Sequence, residues 1–98
     1  MLKLKKNLKS TQKFTHMYTI YDTKADRYGS IFDAENDQIA MRNYAYTIYK
    51  SPFKNDFQLI HIGTLDETKN ITPNRYEVKY DDLDPLVEQI KNMDTQIQ

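Results

Sequence analysis

Phe57-Gln58-Leu59-Ile60-His61-Ile62-Gly63 decides the fold. Phe57, Leu59 and His61 alternate with Gln58, Ile60 and Ile62, so both faces of an extended segment would be partly apolar. A half-exposed strand has one wet face. This one needs cover on both sides and reads as a central strand.

Its neighbours follow on either side in the chain. Residues 14–21 (Phe-Thr-His-Met-Tyr-Thr-Ile-Tyr) are rich in aromatic and β-branched types and read as a strand with one wetter face. Asp22-Thr23-Lys24-Ala25-Asp26 is a polar turn, and residues 28–32 read as a short second strand with Gly29 at a bend or bulge. Beyond the central strand, residues 65–70 form a turn or hairpin loop. In residues 75–80, Tyr76, Val78 and Tyr80 oppose Arg75, Glu77 and Lys79, a half-exposed strand.

Two segments have helical spacing. Ala40, Met41, Tyr44, Ala45, Ile48 and Tyr49 make one apolar stripe, with Asn36 or Asp33 as the N-cap and Ser51-Pro52 as the stop. Glu35 and Asp37 suit the positive end of its dipole. Near the end of the chain Asp84 can cap a second helix with Pro85 at its first position. Leu86, Val87, Ile90 and Met93 supply its weak stripe. The order strand, strand, helix, strand, strand, helix predicts an α+β domain with helices packed on one face of a small, mostly antiparallel sheet.

The sequence of 98 residues is sized for one domain, with a 39% hydrophobic share sufficient for one modest core. The charges are unevenly placed. Lys3, Lys5, Lys6, Lys9 and Lys13 give residues 1–13 a charge of +5 with no acidic residue among them. Residues 14–74 carry 6 basic against 8 acidic groups, and residues 75–98 carry 3 against 6, so the neutral total hides a cationic arm on an acidic body. The division expected is a flexible basic arm, 1–13, and a single domain, 14–98. Leu4 and Leu8 lie one helical turn apart, so the arm could become helical on a partner. As a phosphate grip it would give a salt-dependent, sequence-independent affinity. Five contacts at about 0.7 each would give a log–log salt slope near −4 on single strands. As a solubilising tail it would give none.

The catalytic inventory is thin. His16 and His61 are the only imidazoles, and both fall inside predicted strands, where a structural or surface role is the usual one. A catalytic role would need one of them in a cleft with a carboxylate in hydrogen-bond reach; placement on open strand surface would end it. With Gly29 and Gly63 as the only glycines there is no phosphate cradle, and zinc-protease and nucleophile-elbow motifs are missing. Asp81, Asp82 and Asp84 lack the glycine and terminal glutamate of a calcium loop, so no metal or other cofactor is expected. With no cysteine and no apolar run near the roughly 20 residues of a membrane span, the chain is expected to be soluble and cytoplasmic, without membrane contact. Eight tyrosines remain. Tyr44 and Tyr49 belong to the helix stripe, whereas Tyr46 lies off it and is expected at the surface. Exposed tyrosines beside cations can stack on unpaired bases.

Several runs resemble the small non-structural protein of gokushovirus-type microviruses, tailless phages with single-stranded DNA. They are Tyr18-Thr19-Ile20-Tyr21-Asp22-Thr23-Lys24-Ala25, Tyr28-Gly29-Ser30-Ile31-Phe32, Asn36-Asp37 and Ala40-Met41-Arg42-Asn43-Tyr44-Ala45. The series resumes at Ser51-Pro52, Asp56-Phe57, Ile62-Gly63-Thr64-Leu65-Asp66-Glu67-Thr68 and Ile71-Thr72-Pro73, and covers roughly residues 17–73.

The resemblance implies a non-enzymatic, DNA-associated role in the host cytoplasm. The family is likened to a packaging protein that meets the replication complex on replicative-form DNA and turns synthesis toward filling procapsids with single strands. The partners implied are viral DNA, replication proteins and procapsid proteins. The candidate DNA contacts are Lys3, Lys5, Lys6, Lys9 and Lys13, which lie outside the resembling region, and Arg42, on the helix but off its apolar stripe. The alternative is an assembly adaptor that touches only proteins. Sheet edges and aromatic area left uncovered add a homo-oligomer to the expectations.

Overall fold

The computed structural model describes residues 14–79 and 83–97. Five antiparallel strands and two helices appear in the order β1 (Phe14–Asp22), β2 (Arg27–Tyr28), β3 (Phe32–Ala34), α1 (Asp37–Ile48), β4 (Phe57–Asp66), β5 (Ile71–Val78) and α2 (Leu83–Ile97). This is the α+β architecture expected. The arm, residues 1–13, lies outside the described residues, and so do Tyr80, Asp81 and Asp82.

The sheet runs β2-β1-β4-β5, with β3 sharing the β1 edge with β2. β4 is central, as its two apolar faces require, and β1 is its central partner over its whole length, from Phe14↔Asp66 to Asp22↔Phe57. The expected strand 28–32 is instead two short strands. The Gly29 N–H bonds the Ile20 carbonyl at 2.8 Å, and Thr19 Oγ1 donates to the Gly29 carbonyl at 3.0 Å. These bonds break the run and return it to β1 three residues later. The β4–β5 hairpin is longer than expected, and β5 begins at Ile71 rather than at Arg75. Its loop is Glu67 to Asn70, closed by Asp66 Oδ1, which accepts from the N–H groups of Thr68 and Asn70 at 2.9 Å each. Those bonds hold the Asp66 carboxyl below the usual range, with the Thr68 hydroxyl the leading cause. Pro73 is tolerated within β5 because the strand is an edge.

Asn36, not Asp33, caps α1, its Oδ1 accepting from the Ile39 N–H at 2.9 Å. α2 starts at Leu83, one residue before the expected cap at Asp84, so Pro85 is its third residue. Pro still fits there, because N–H groups of the first turn have no intrahelical partner. α1 buries Ala40, Met41, Tyr44 and Ile48 against Tyr18, Leu59 and Val78 of the sheet. A second cluster, Ala45 with Val87 and Ile90, joins the two helices, and Leu83 and Leu86 touch both clusters. Burying Val87 and Ile90 contributes roughly 1.5–3 kcal/mol apiece. Met93, expected on the α2 stripe, is instead exposed.

Candidate functional site: two polar clusters on opposite faces of the sheet

The first cluster lies on the helix-covered face. Strand alternation puts His16, Tyr18, His61 and Tyr76 there. Asp37, in the first turn of α1, accepts from Tyr18 Oη at 2.6 Å and from Tyr76 Oη at 3.1 and 3.0 Å. Burial, reinforced by the anion, pushes both phenols above their ordinary range. Asp37 thus has a role beyond the dipole effect expected of it.

The same cluster joins the two imidazoles. His16 Nδ1 lies 3.0 Å from His61 Nε2, and His61 Nδ1 lies 2.7 Å from the Asn74 carbonyl oxygen. Tyr76 stacks on His61 with ring centres 4.3 Å apart, and Tyr18 meets it edge-on at 5.1 Å. A bulge makes this possible. His61 pairs with Tyr76 and Gly63 with Pro73, so Asn74 and Arg75 oppose Ile62 alone. At Gly63 a Cβ would come within 2.5 Å of the Thr72 carbonyl oxygen, so the strands can approach this closely only at a glycine. His61 is 1% exposed, whereas His16 is half-buried and shares a cavity of about 410 Å³ with Asn36, Asp37, Gln38 and Tyr76. Neither imidazole is on open strand surface.

The second cluster lies on the helix-free face. Tyr21 and Tyr28 sit opposite each other in β1 and β2, ring centres 4.7 Å apart. The Tyr21 hydroxyl donates to Asp26. From the far edge of the sheet, Arg75 Nη2 donates to Tyr28 Oη at 2.9 Å, with the guanidinium carbon 6.0 Å from the ring centre. β2 and β5 are separated by β1 and β4, so this contact spans the sheet. Between its ends lie Thr19 and Ile60, register partners that are 3% and 1% exposed although no helix covers them. Tyr28 itself is 54% exposed. Tyr21 packs beside the ring and Arg75 binds its hydroxyl, and the residue stays half exposed.

Of the residues singled out from sequence, Arg42 is exposed on α1, one turn before Tyr46, which is 53% exposed as its spacing predicted. Tyr46 packs edge-on to Tyr49, and the Lys50 ammonium lies 5.6 Å from the Tyr49 ring centre. Tyr49 also donates to Asp94 of α2 at 2.9 Å. Lys3, Lys5, Lys6, Lys9 and Lys13 lie outside the described residues. Sequence reading missed Tyr28 and Arg75 as a pair. Their period-2 placement was visible, but a contact between opposite edges depends on sheet order, curvature and the bulge.

The fold and these clusters define a small helix-on-sheet protein with a polar junction inside and an aromatic–cationic surface outside. Residues 15–76 match the family model described as Phage ORF5 protein. That span is more than half of the chain, and the chain belongs to this phage protein family. No curated protein and no solved structure matches it.

Proposed function

We propose that this phage protein is a non-enzymatic DNA-binding protein of the gokushovirus type. It acts in packaging viral single-stranded DNA into procapsids and meets the replication complex on replicative-form DNA. The observation that carries the reading is the Tyr21–Tyr28–Arg75 cluster on the helix-free face. A half-exposed ring flanked by tyrosine and bonded at its hydroxyl by arginine is a platform for an unpaired base. Such stacking is worth roughly 1–3 kcal/mol per base. Arg27, exposed beside Tyr28, and Arg75 supply cations for the phosphates flanking that base. Arg42 with Tyr46, one turn apart, adds a second cation–aromatic patch, and the five arm lysines add long-range attraction. The non-enzymatic part is supported by how the candidate catalytic groups are engaged: the imidazoles bond each other and Asn74, and Asp37 serves two phenols.

Electrophoretic shifts with single-stranded and duplex oligonucleotides over a salt series test this. Tyr28→Leu is expected to weaken single-strand binding about tenfold, one base stack in size, and to leave duplex binding nearly unchanged. Deleting residues 1–13 should flatten the salt slope for both forms. Absence of binding to either form at low salt would overturn the reading in favour of the assembly adaptor. DNA-filled particles counted after infection with the Tyr28→Leu phage test the packaging role separately, and an undiminished count would remove it.

A further inference from the structure

The polar junction between β1, β4 and β5 restricts how many protons it can hold. Asn74 offers a carbonyl oxygen, which only accepts, so His61 Nδ1 must carry a hydrogen. In a neutral His61 the Nε2 atom is then an acceptor, and His16 Nδ1, 3.0 Å away, must be the donor. That leaves His16 Nε2 as the bare nitrogen of the pair. One added proton can sit there, or on His61 Nε2 with His16 Nδ1 accepting, and the bond survives in both cases. Two added protons would set N–H against N–H, and the bond cannot survive.

We infer that His16 and His61 form a one-proton latch. The pair stays closed with no added proton or one, and it opens when a second arrives. His16 is the ring that moves. His61 is held by the Asn74 bond and stacked under Tyr76, whereas His16 is half-buried beside a cavity of about 410 Å³. The groups facing the pair fit this assignment. From β1 and β5 come the phenols of Tyr18 and Tyr76, both kept neutral by burial and by Asp37. At the register of His16, β3 contributes Ala34 and β4 contributes Thr64, neither of which titrates. Asp37 of α1 is the anion that shares the His16 cavity, and it can balance one positive charge there but not two.

Opening the latch would release the His16 ring from His61, while the β1–β4 ladder and the α1 core near Leu59 stay in place. The latch makes this end of the sheet sensitive to the number of protons the pair holds. It does not depend on the DNA-binding proposal.

Long-range proton–nitrogen NMR of the ¹⁵N-labelled full chain, titrated from pH 8 to pH 5, tests this without any mutation. At pH 8 both rings should show a protonated Nδ1 and a bare Nε2. On acidification the first step should take up one proton per molecule and move the signals of both rings together. The second uptake should coincide with His16 signals shifting to a solvent-exposed position. In His16→Ala, His61 should lose the shared step and titrate on a curve of its own. Independent uptake of a proton by each ring with the inter-ring contact intact would overturn the proposal. So would a bare Nδ1 on His61 at pH 8.

Discussion

On its helix-covered face the sheet buries Tyr18, Leu59 and Val78 beneath α1, whereas on the other face Thr19 and Ile60 are equally buried with no helix above them. The covered face excludes water with a second layer of secondary structure. Its polar atoms therefore need partners inside, and it supplies them: Asp37 for two phenols, one imidazole for the other, and a backbone carbonyl for His61 Nδ1. On the helix-free face the Thr19 hydroxyl is met by the Gly29 and Ser30 carbonyls, and one long guanidinium from β5 and two rings from β1 and β2 lie beside it. Interior polar groups on the first face should be costly to orphan. Surface polar groups on the second should be cheap to change and free to meet a ligand.

The largest expected effect tests the first half of that contrast. Asp37→Ala leaves the hydroxyls of buried Tyr18 and half-buried Tyr76 without their acceptor, at roughly 1–3 kcal/mol for Tyr18 and less for Tyr76. Urea unfolding should show a loss of about 2–4 kcal/mol. The matched change outside, Tyr21→Phe, removes a hydroxyl whose bond to Asp26 is exposed. It should cost far less than the Asp37→Ala loss. Similar losses for the two variants would break the comparison, because they would mean the covered cluster is as wet as the open one.

Alkali sharpens it. Tyr44 is pushed up to about 12 by burial, with the Glu77 charge adding to it, and Tyr18 and Tyr76 are raised for the reasons given above. A phenol whose folded pKa lies above its unfolded value near 10 stabilises the fold below pH 10, and that contribution is lost as pH rises through the folded value. For Tyr44 the window is about pH 10 to 12. Tyrosinate absorbance followed with circular dichroism should show the covered tyrosines ionising together with unfolding. Ionisation of all the phenols before any structural change would contradict the layered picture.

How much of this was legible depended on range. The β4 alternation and the α1 stripe, Ala40 to Ile48, are local periodic signals, and both elements formed there, although β4 runs past Gly63 to Asp66, into the stretch expected as a turn. The break in the 28–32 run was not legible. It depends on Thr19, nine residues before that run begins, whose hydroxyl holds the Gly29 and Ser30 carbonyls. The early start of β5 was hidden by Thr72-Pro73, which reads as a breaker until the strand is known to be an edge. Both histidines were rightly assigned to strands, and strand alternation placed each on a face. Their bond could not be read, because it requires β1 and β4 to be register neighbours and the bulge at Gly63 to turn Asn74 inward.

An effect smaller than that of Asp37→Ala concerns the cover over Ile60. If the Arg75 stem and its bond to Tyr28 seal that residue, Arg75→Ala should lose both and cost about 1 kcal/mol. Arg75→Met keeps an unbranched stem without the bond, so it should recover about half of that loss. The alternative is that Ile60 is sealed by its strand neighbours Thr19 and Glu77 alone, in which case both variants would match the parent within about 0.3 kcal/mol. Amide exchange at Ile60 separates the cases further, since an opened face should speed its exchange in Arg75→Ala and not in Arg75→Met. A graded response would mean that a single side chain does on this face what α1 does on the other. It would also mean that a base stacking on Tyr28 approaches a seal already in place, so binding there need not open the core.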